Sequence, residues 1–187
     1  LIKDIKRDAQ GNYCFLHDSH GLFRYSPVRD ETLKVAHNPD DTTSISTNRV
    51  ASWRQDAAGN IWLLHTNGVL EKLNSVTLRV GYRNRTLNER FKNQALEFQF
   101  MADRDGDLWF YITNHNAGVS QFQPAEAKWR HFDASSTPRL NTSIVKGIVE
   151  DQSGMLWIAT DHGGINLLDK RDMSVRYILH NKEDEKS

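Results

Sequence analysis

The chain is one unit written four times. It reads Asp-x-x-Gly-x-apolar-Trp, and occurs as DAQGNYC from Asp8, DAAGNIW from Asp56, DRDGDLW from Asp103 and DQSGMLW from Asp151. The aspartates are 48, 47 and 48 residues apart. A second glycine follows each of them by twelve to fifteen residues: Gly21, Gly68, Gly118 and the pair Gly163/Gly164. Then comes a short apolar-alternating stretch, LFRY, VLEKL, VSQF or INLL. A period of this length means stacked supersecondary units that bury a common core.

The unit has the chemistry of a β-meander. Asp8, Asp56, Asp103 and Asp151, each followed three residues later by Gly11, Gly59, Gly106 and Gly154, supply an Asx-type side-chain bond and a positive φ for a tight turn. Asn67-Gly68 reads as a type I′ hairpin turn. Strand-like runs such as VASWRQD precede the aspartates, and WLLH, WFYI and WIAT follow them, rich in β-branched and aromatic residues. A fourth stretch ends each unit, as in TLRVGY, KWRHF or SVRYIL. Four short strands in about 45 residues is the size of a propeller blade, and helical periodicity is hardly visible. The fold class is therefore all-β, with four four-stranded antiparallel blades at 1–46, 47–92, 93–140 and 141–187. With strands A to D counted from the axis outward, the A–B turn lies on one face of the disc. The B–C loop and the D-to-A connection lie on the other.

Composition narrows the function classes. Among 187 residues there are 24 basic and 24 acidic side chains, which argues against nucleic acid as a partner of this segment. No apolar run approaches the roughly 18 to 20 residues of a membrane span. Cys14 is the single cysteine, so neither an intrachain disulfide nor a cysteine metal cluster is available. The chain opens on Leu1 without a leader pattern, and the expectation is a segment of a longer polypeptide.

The unit resembles the two-component regulator propeller repeat, roughly I-x-E-D-x-x-G-x-L-W-I-G-T-x-x-G-L. GIVEDQSGMLWIATDHGGINLLD, from Gly147 to Asp169, matches almost throughout. Copies two and three match at Asp, Gly, Trp and the later Gly, while copy one is degenerate, with Tyr13-Cys14 in place of Leu-Trp. The resemblance implies part of a larger propeller in the periplasmic sensor region of a hybrid two-component histidine kinase, extracytoplasmic and attached to the inner membrane. It implies an oligosaccharide as ligand, further blades of the parent chain as partners, and no catalysis in this segment. A propeller lyase or glycan hydrolase, or a pure interaction scaffold, are the alternatives. Four blades from a larger ring would leave apolar faces open, so self-association or a homodimer is also expected.

Candidate residues sort by the face they occupy. Trp62, Trp109 and Trp157 open strand B at equivalent positions, which favours wedges packed between blades over sugar platforms. The repeat aspartates read as turn residues. DRDGD at Asp103–Asp107 has the wrong spacing for a calcium loop, with glycine fourth and Asn114 twelfth. The B–C loops carry His17, His20, His65, His115 and His162. Blades fan outward, so convergence on a metal is not expected, and no cofactor is implied. A polar mouth that hydrogen-bonds sugar hydroxyls is the sharper reading, with Asn114, His115, Asn116, His65, Asn67 and His162 in it. The connection from Gly81 to Gln94 adds Arg83 and Arg85 for an acidic group. Trp53 joins them because strand A lines the axis. No Gly-x-Ser-x-Gly, His-Glu-x-x-His or Walker loop is present, so no catalytic residue is assigned.

Overall fold

The computed structural model describes residues 1–179. They form four four-stranded antiparallel meanders, each in chain order. Blade one comprises β1 (Ile2–Arg7), β2 (Tyr13–His17), β3 (Gly21–Ser26) and β4 (Glu31–Val35). Blade two comprises β5 (Val50–Gln55), β6 (Ile61–His65), β7 (Leu70–Leu73) and β8 (Val80–Asn84). A short helix, α1 (Thr86–Arg90), follows β8. Blade three comprises β9 (Phe98–Ala102), β10 (Leu108–Ile112), β11 (Val119–Gln123) and β12 (Lys128–Phe132). Blade four comprises β13 (Val145–Glu150), β14 (Met155–Thr160), β15 (Gly164–Asp169) and β16 (Ser174–Ile178). The chain divides into two compact units, Leu1–Phe98 and Gln99–Ser187.

The Asp-x-x-Gly turn explains why the repeat is written as it is. In every copy the glycine amide donates to the aspartate carbonyl, as Gly11 does to Asp8 at 3.0 Å, and the aspartate amide donates to the residue four on. The glycines have φ between 84° and 87°. This is a type I turn closed by a left-handed residue. The side chain adds to it. Asp103 Oδ1 accepts the amides of Asp105 and Asp107 at 3.0 and 2.9 Å, and Asp103 Oδ2 accepts the Trp109 indole N–H at 2.8 Å. Trp62 to Asp56 and Trp157 to Asp151 repeat that bond at 2.9 and 2.8 Å. Aspartate and tryptophan thus recur together because one satisfies the other's polar edge. Copy one has no indole, and there Asn12 Nδ2 takes the Asp8 Oδ2 position at 2.8 Å.

The second glycine answers a close approach. A Cβ on Gly118, whose φ is +66°, would sit 2.2 Å from the Phe132 carbonyl oxygen at the end of β12. The Asn67-Gly68 turn differs from the type I′ expectation. Gly68 alone has positive φ, its amide donates to His65 O, and the His65 amide donates to Val69 O, both at 2.9 Å. It is the same type I turn plus left-handed glycine used by the A–B hairpins.

Each unit is held by a seam between two blades. In the first unit Cys14, Leu16 and Leu22 of blade one pack with Trp53, Ile61, Leu63 and Leu73 of blade two. In the second, Trp109, Val119 and Phe132 of blade three pack with Leu156, Ile158 and Leu168 of blade four. Full burial of such a side chain contributes on the order of 1.5–3 kcal/mol. The second strand of blade two is covered on both sides, IWLLH of β6 being buried at every position. Trp157 is only half-buried, and Ile5 and Tyr13 of blade one are exposed.

Candidate functional site

The A–B turns are closed by their own bonds, and beside those of the first unit lies a hollow of about 390 Å³ lined by Gln10, Asn12, Arg24, Arg29, Glu31 and Ser75. In the second unit the Lys170 ammonium donates to Asp103, Asp105 and Glu150 at 2.9, 2.6 and 2.7 Å. Those three carboxylates are spaced as a cation site, and the lysine head group is the cation that fills it. Burial works against the Lys170 charge, but hydrogen bonds to Asp105, Glu150 and Asp103 outweigh it and raise its pKa. Arg104 adds a backbone bond to Glu150 at 2.8 Å. In the first unit the same junction is neutral. The Ala9 amide donates to Gln55 Oε1 at 2.7 Å, and Gln55 Nε2 donates to Gln10 at 2.9 Å.

The opposite face carries the B–C loops and the D-to-A connections, and hydrogen bonds tie the two together. Gly21 N–H donates to Asn48 O in the first unit, and Gly118 N–H to Ser143 O in the second. Beneath this face in blade two lies a buried cluster. Glu71, fully buried, accepts His65 Nε2 at 2.7 Å, Arg83 Nε, and the Ser46 amide at 3.1 Å. Burial favours a neutral Glu71, yet the bonds from His65 and Arg83 prevail and hold its pKa below the ordinary value. Asn166 does the same work in blade four, accepting the Asn141 amide at 2.7 Å. Both residues anchor the connection that enters their blade.

That cluster and the seam beside it correct three expectations. His65 is 0% exposed and faces Glu71, so it cannot meet a ligand. Its imidazole lies inward because His65 closes β6, a strand buried throughout. Trp53 is 2% exposed and belongs to the seam with Cys14. Strand A presents alternate residues to its two neighbours, and position 53 points at blade one. Arg83 is committed to Glu71 and to Ser44 O at 2.9 Å. The His65–Glu71 pair has the composition of an acid–base couple, but it is sealed from substrate. Cys14 is equally withdrawn: burial, helped by Asp8, pushes its thiol up to about 12.

The remaining expected residues are more accessible. Asn67 accepts Asn88 Nδ2 through its carbonyl at 2.9 Å, which holds α1 against the turn, and Arg85 is exposed just before that helix. In the second unit Asn114 and Asn116 are exposed and His115 is half-buried. Lys146 brings two loops together there, reaching Asn114 Oδ1 at 2.6 Å and Asp161 at 3.4 Å, while Asp161 meets His162 at 2.9 Å. His17 and His20 pair with each other, Nδ1 to Nδ1 at 2.9 Å.

The first unit also holds a hollow of about 300 Å³ on this face. It is lined by Lys3 and Asp18 of blade one, Arg49 and Thr66 of blade two, and Leu96 and Glu97 of the connection that follows. Sequence reasoning missed these residues, as it missed Lys146 and Asp161. The available signal was positional: Arg49 and Glu97 each end a connection directly before a strand A.

A family model described as Two component regulator propeller matches residues 139–162. The match covers the entry to blade four and its first two strands, β13 and β14. No curated protein matches the chain. Among solved structures, the extracellular domain of a protein described as a hybrid two-component system of B. thetaiotaomicron is similar at a TM-score of 0.73 and 18% identity, over 94% of this chain and 23% of that one. A second extracellular domain from the same organism, described as belonging to a one-component system, gives 0.72 and 18%, over 97% and 24%. A virginiamycin B lyase of Staphylococcus aureus gives 0.66 and 15%, over 96% and 55%. These likenesses establish the propeller-blade fold. The chain spans about a quarter of the length of the two extracellular domains. Among the described residues no helix is long and apolar enough to cross a membrane.

Proposed function

We propose that the chain is a ligand-recognising part of the extracytoplasmic, periplasmic propeller of a two-component sensor. It takes an oligosaccharide on the B–C face, and a histidine kinase elsewhere in the polypeptide reads the binding. The observation that carries this reading is the hollow of about 300 Å³ on the B–C face of the first unit, where charged and hydroxyl side chains of the B–C loops and the D-to-A connections meet. The propeller repeat at residues 139–162 supports the sensor context. Asn67 and Arg85 in the first unit, and Asn114, His115, Asn116 and His162 in the second, are the further contacts proposed on this face. A lyase reading is weaker, since the His65–Glu71 couple is inaccessible.

NMR shift mapping with a panel of oligosaccharides tests the assignment. Perturbations are expected at Arg49, Thr66 and Asn67 or at Asn114 to Asn116. Shifts confined to the turns at Asp8, Asp56, Asp103 and Asp151 would overturn it. Silence across the panel would leave a protein-interaction scaffold as the better reading.

A further inference from the structure

The hollow in the first unit has a more specific chemistry than a polar mouth. We propose that it is a subsite for an anionic sugar, with the Arg49 guanidinium receiving the carboxylate of a uronic acid residue. The inference rests on the reading of the B–C face as a glycan site, and goes beyond it by naming the subsite and the charge of the ligand.

The argument starts from which cations near this face are already committed. Lys3 is paired with Asp18 at 2.9 Å. Arg79 is paired with Asp41 at 3.0 Å, and Arg83 with Glu71. Arg49 lines the hollow, is exposed, and has no carboxylate within ion-pair distance among the described residues. Its backbone is fixed on both sides. The Arg49 amide donates to Thr47 Oγ1 at 3.2 Å, and the Arg49 carbonyl accepts the Thr66 amide at 3.0 Å. A planar guanidinium on a rigid backbone suits a two-point grip on a carboxylate.

The rest of the lining suits a sugar ring. Glu97, also exposed and without an ion-pair partner among the described residues, can accept hydroxyl protons, and the Thr66 hydroxyl can donate or accept. Leu96, whose amide is held by Thr66 O at 2.8 Å, offers an apolar patch for the C–H face of the ring. Because Lys3 and Asp18 neutralise each other, Arg49 is the group left to select charge, and Glu97 disfavours a second anionic substituent close to it.

Calorimetry of the full chain with digalacturonate and with its neutral match, galactobiose, decides the matter. Digalacturonate should bind at least about tenfold more tightly, which is about 1.4 kcal/mol. Arg49→Gln should remove that preference while thermal unfolding stays unchanged. Raising the salt concentration should weaken digalacturonate selectively. Equal affinity for the two sugars, or an unchanged preference in Arg49→Gln, would overturn the anionic subsite and leave the glycan reading standing. Absence of binding by both sugars, and by every other glycan in the panel, would sink the two readings together.

Discussion

The seam inside the first unit and the seam inside the second occupy the same place in the repeat, yet they are filled in opposite ways. At the wedge position of strand B, blade one offers Cys14 and blade three offers Trp109. At the strand-A position facing it, blade two offers Trp53 and blade four offers Ile148. Each seam thus pairs one large side chain with one small one, and the large one comes from opposite blades. The polar anchor behind the seam also differs: ionised Glu71 with Arg83 and His65 in one, neutral Asn166 in the other. At the A–B turns the order is reversed, with neutral Gln55 in the first unit and the Lys170–Glu150–Arg104 cluster in the second. A repeat therefore fixes where a volume or a charge must be placed, and lets the two partners exchange who supplies it.

The largest effect should appear at the tryptophan of the second seam. Trp109→Ala removes a fully buried indole and the donor to Asp103 Oδ2, and should cost about 3–5 kcal/mol in chemical denaturation. Cys14→Ala should cost roughly 1 kcal/mol, the loss of one small buried group. The exchange itself is testable as a cycle. Cys14→Trp should overpack the first seam by about 1–3 kcal/mol, and adding Trp53→Ile should recover part of that loss. If the double variant shows no favourable coupling, the two positions do not share a volume.

How much of this was legible beforehand depends on what a residue interacts with. Blades, strand order and the A–B turns could be read because they depend on local chemistry that the repeat states four times. Trp62 and Trp109, both buried, could be placed in packing for the same reason, whereas Trp157 is only half-buried. Trp53 was misread because its burial depends on Cys14 in another blade, 39 residues away in the chain. His65 and Arg83 were misread because Glu71, the carboxylate that claims both, stands at a position where the other copies have Phe23, Ser120 and Asn166. The helix α1 gives too few residues for periodicity, and it forms where Leu87 can be buried beside the Gly68 turn. The Arg49 hollow is assembled from five separated segments, so no spacing announces it.

The anchors provide the next comparison. Glu71→Ala leaves Arg83 and His65 facing a lost carboxylate, and should cost about 3 kcal/mol, as for one member of a buried charge cluster. Asn166→Ala should cost roughly 1 kcal/mol, a neutral hydrogen bond. The two anchors should also differ with pH. The folded-state pKa of Glu71 lies below its ordinary value of 4.5. Its contribution is therefore fully present above that pH and is lost as pH falls through the lowered value. Stability of Glu71→Gln should accordingly fall less steeply below pH about 4.5 than that of the parent. Parallel acid limbs would mean that Glu71 is not ionised in the fold.

The smallest expected difference lies at the A–B junctions, and salt rather than pH is the lever there. Lys170→Met strands three carboxylates around an apolar end, while Gln55→Ala removes neutral bonds to Ala9 and Gln10. The lysine should be worth about 2 kcal/mol and the glutamine about 1 kcal/mol. Because the pKa of Lys170 is raised above 10.5, its contribution is complete below that pH and disappears only as pH rises through the raised value. A change of pH around neutrality therefore alters neither deficit. Ionic strength does, since Asp105 is an exposed partner in the charged cluster and the glutamine junction has no net charge. Raising salt from about 0.05 M to about 1 M should shrink the Lys170→Met deficit and leave the Gln55→Ala deficit in place. Denaturation midpoints at the two salt concentrations measure both. If the lysine deficit is salt-independent and equal to that of glutamine, the charges in the second unit add nothing beyond the hydrogen bonds they make.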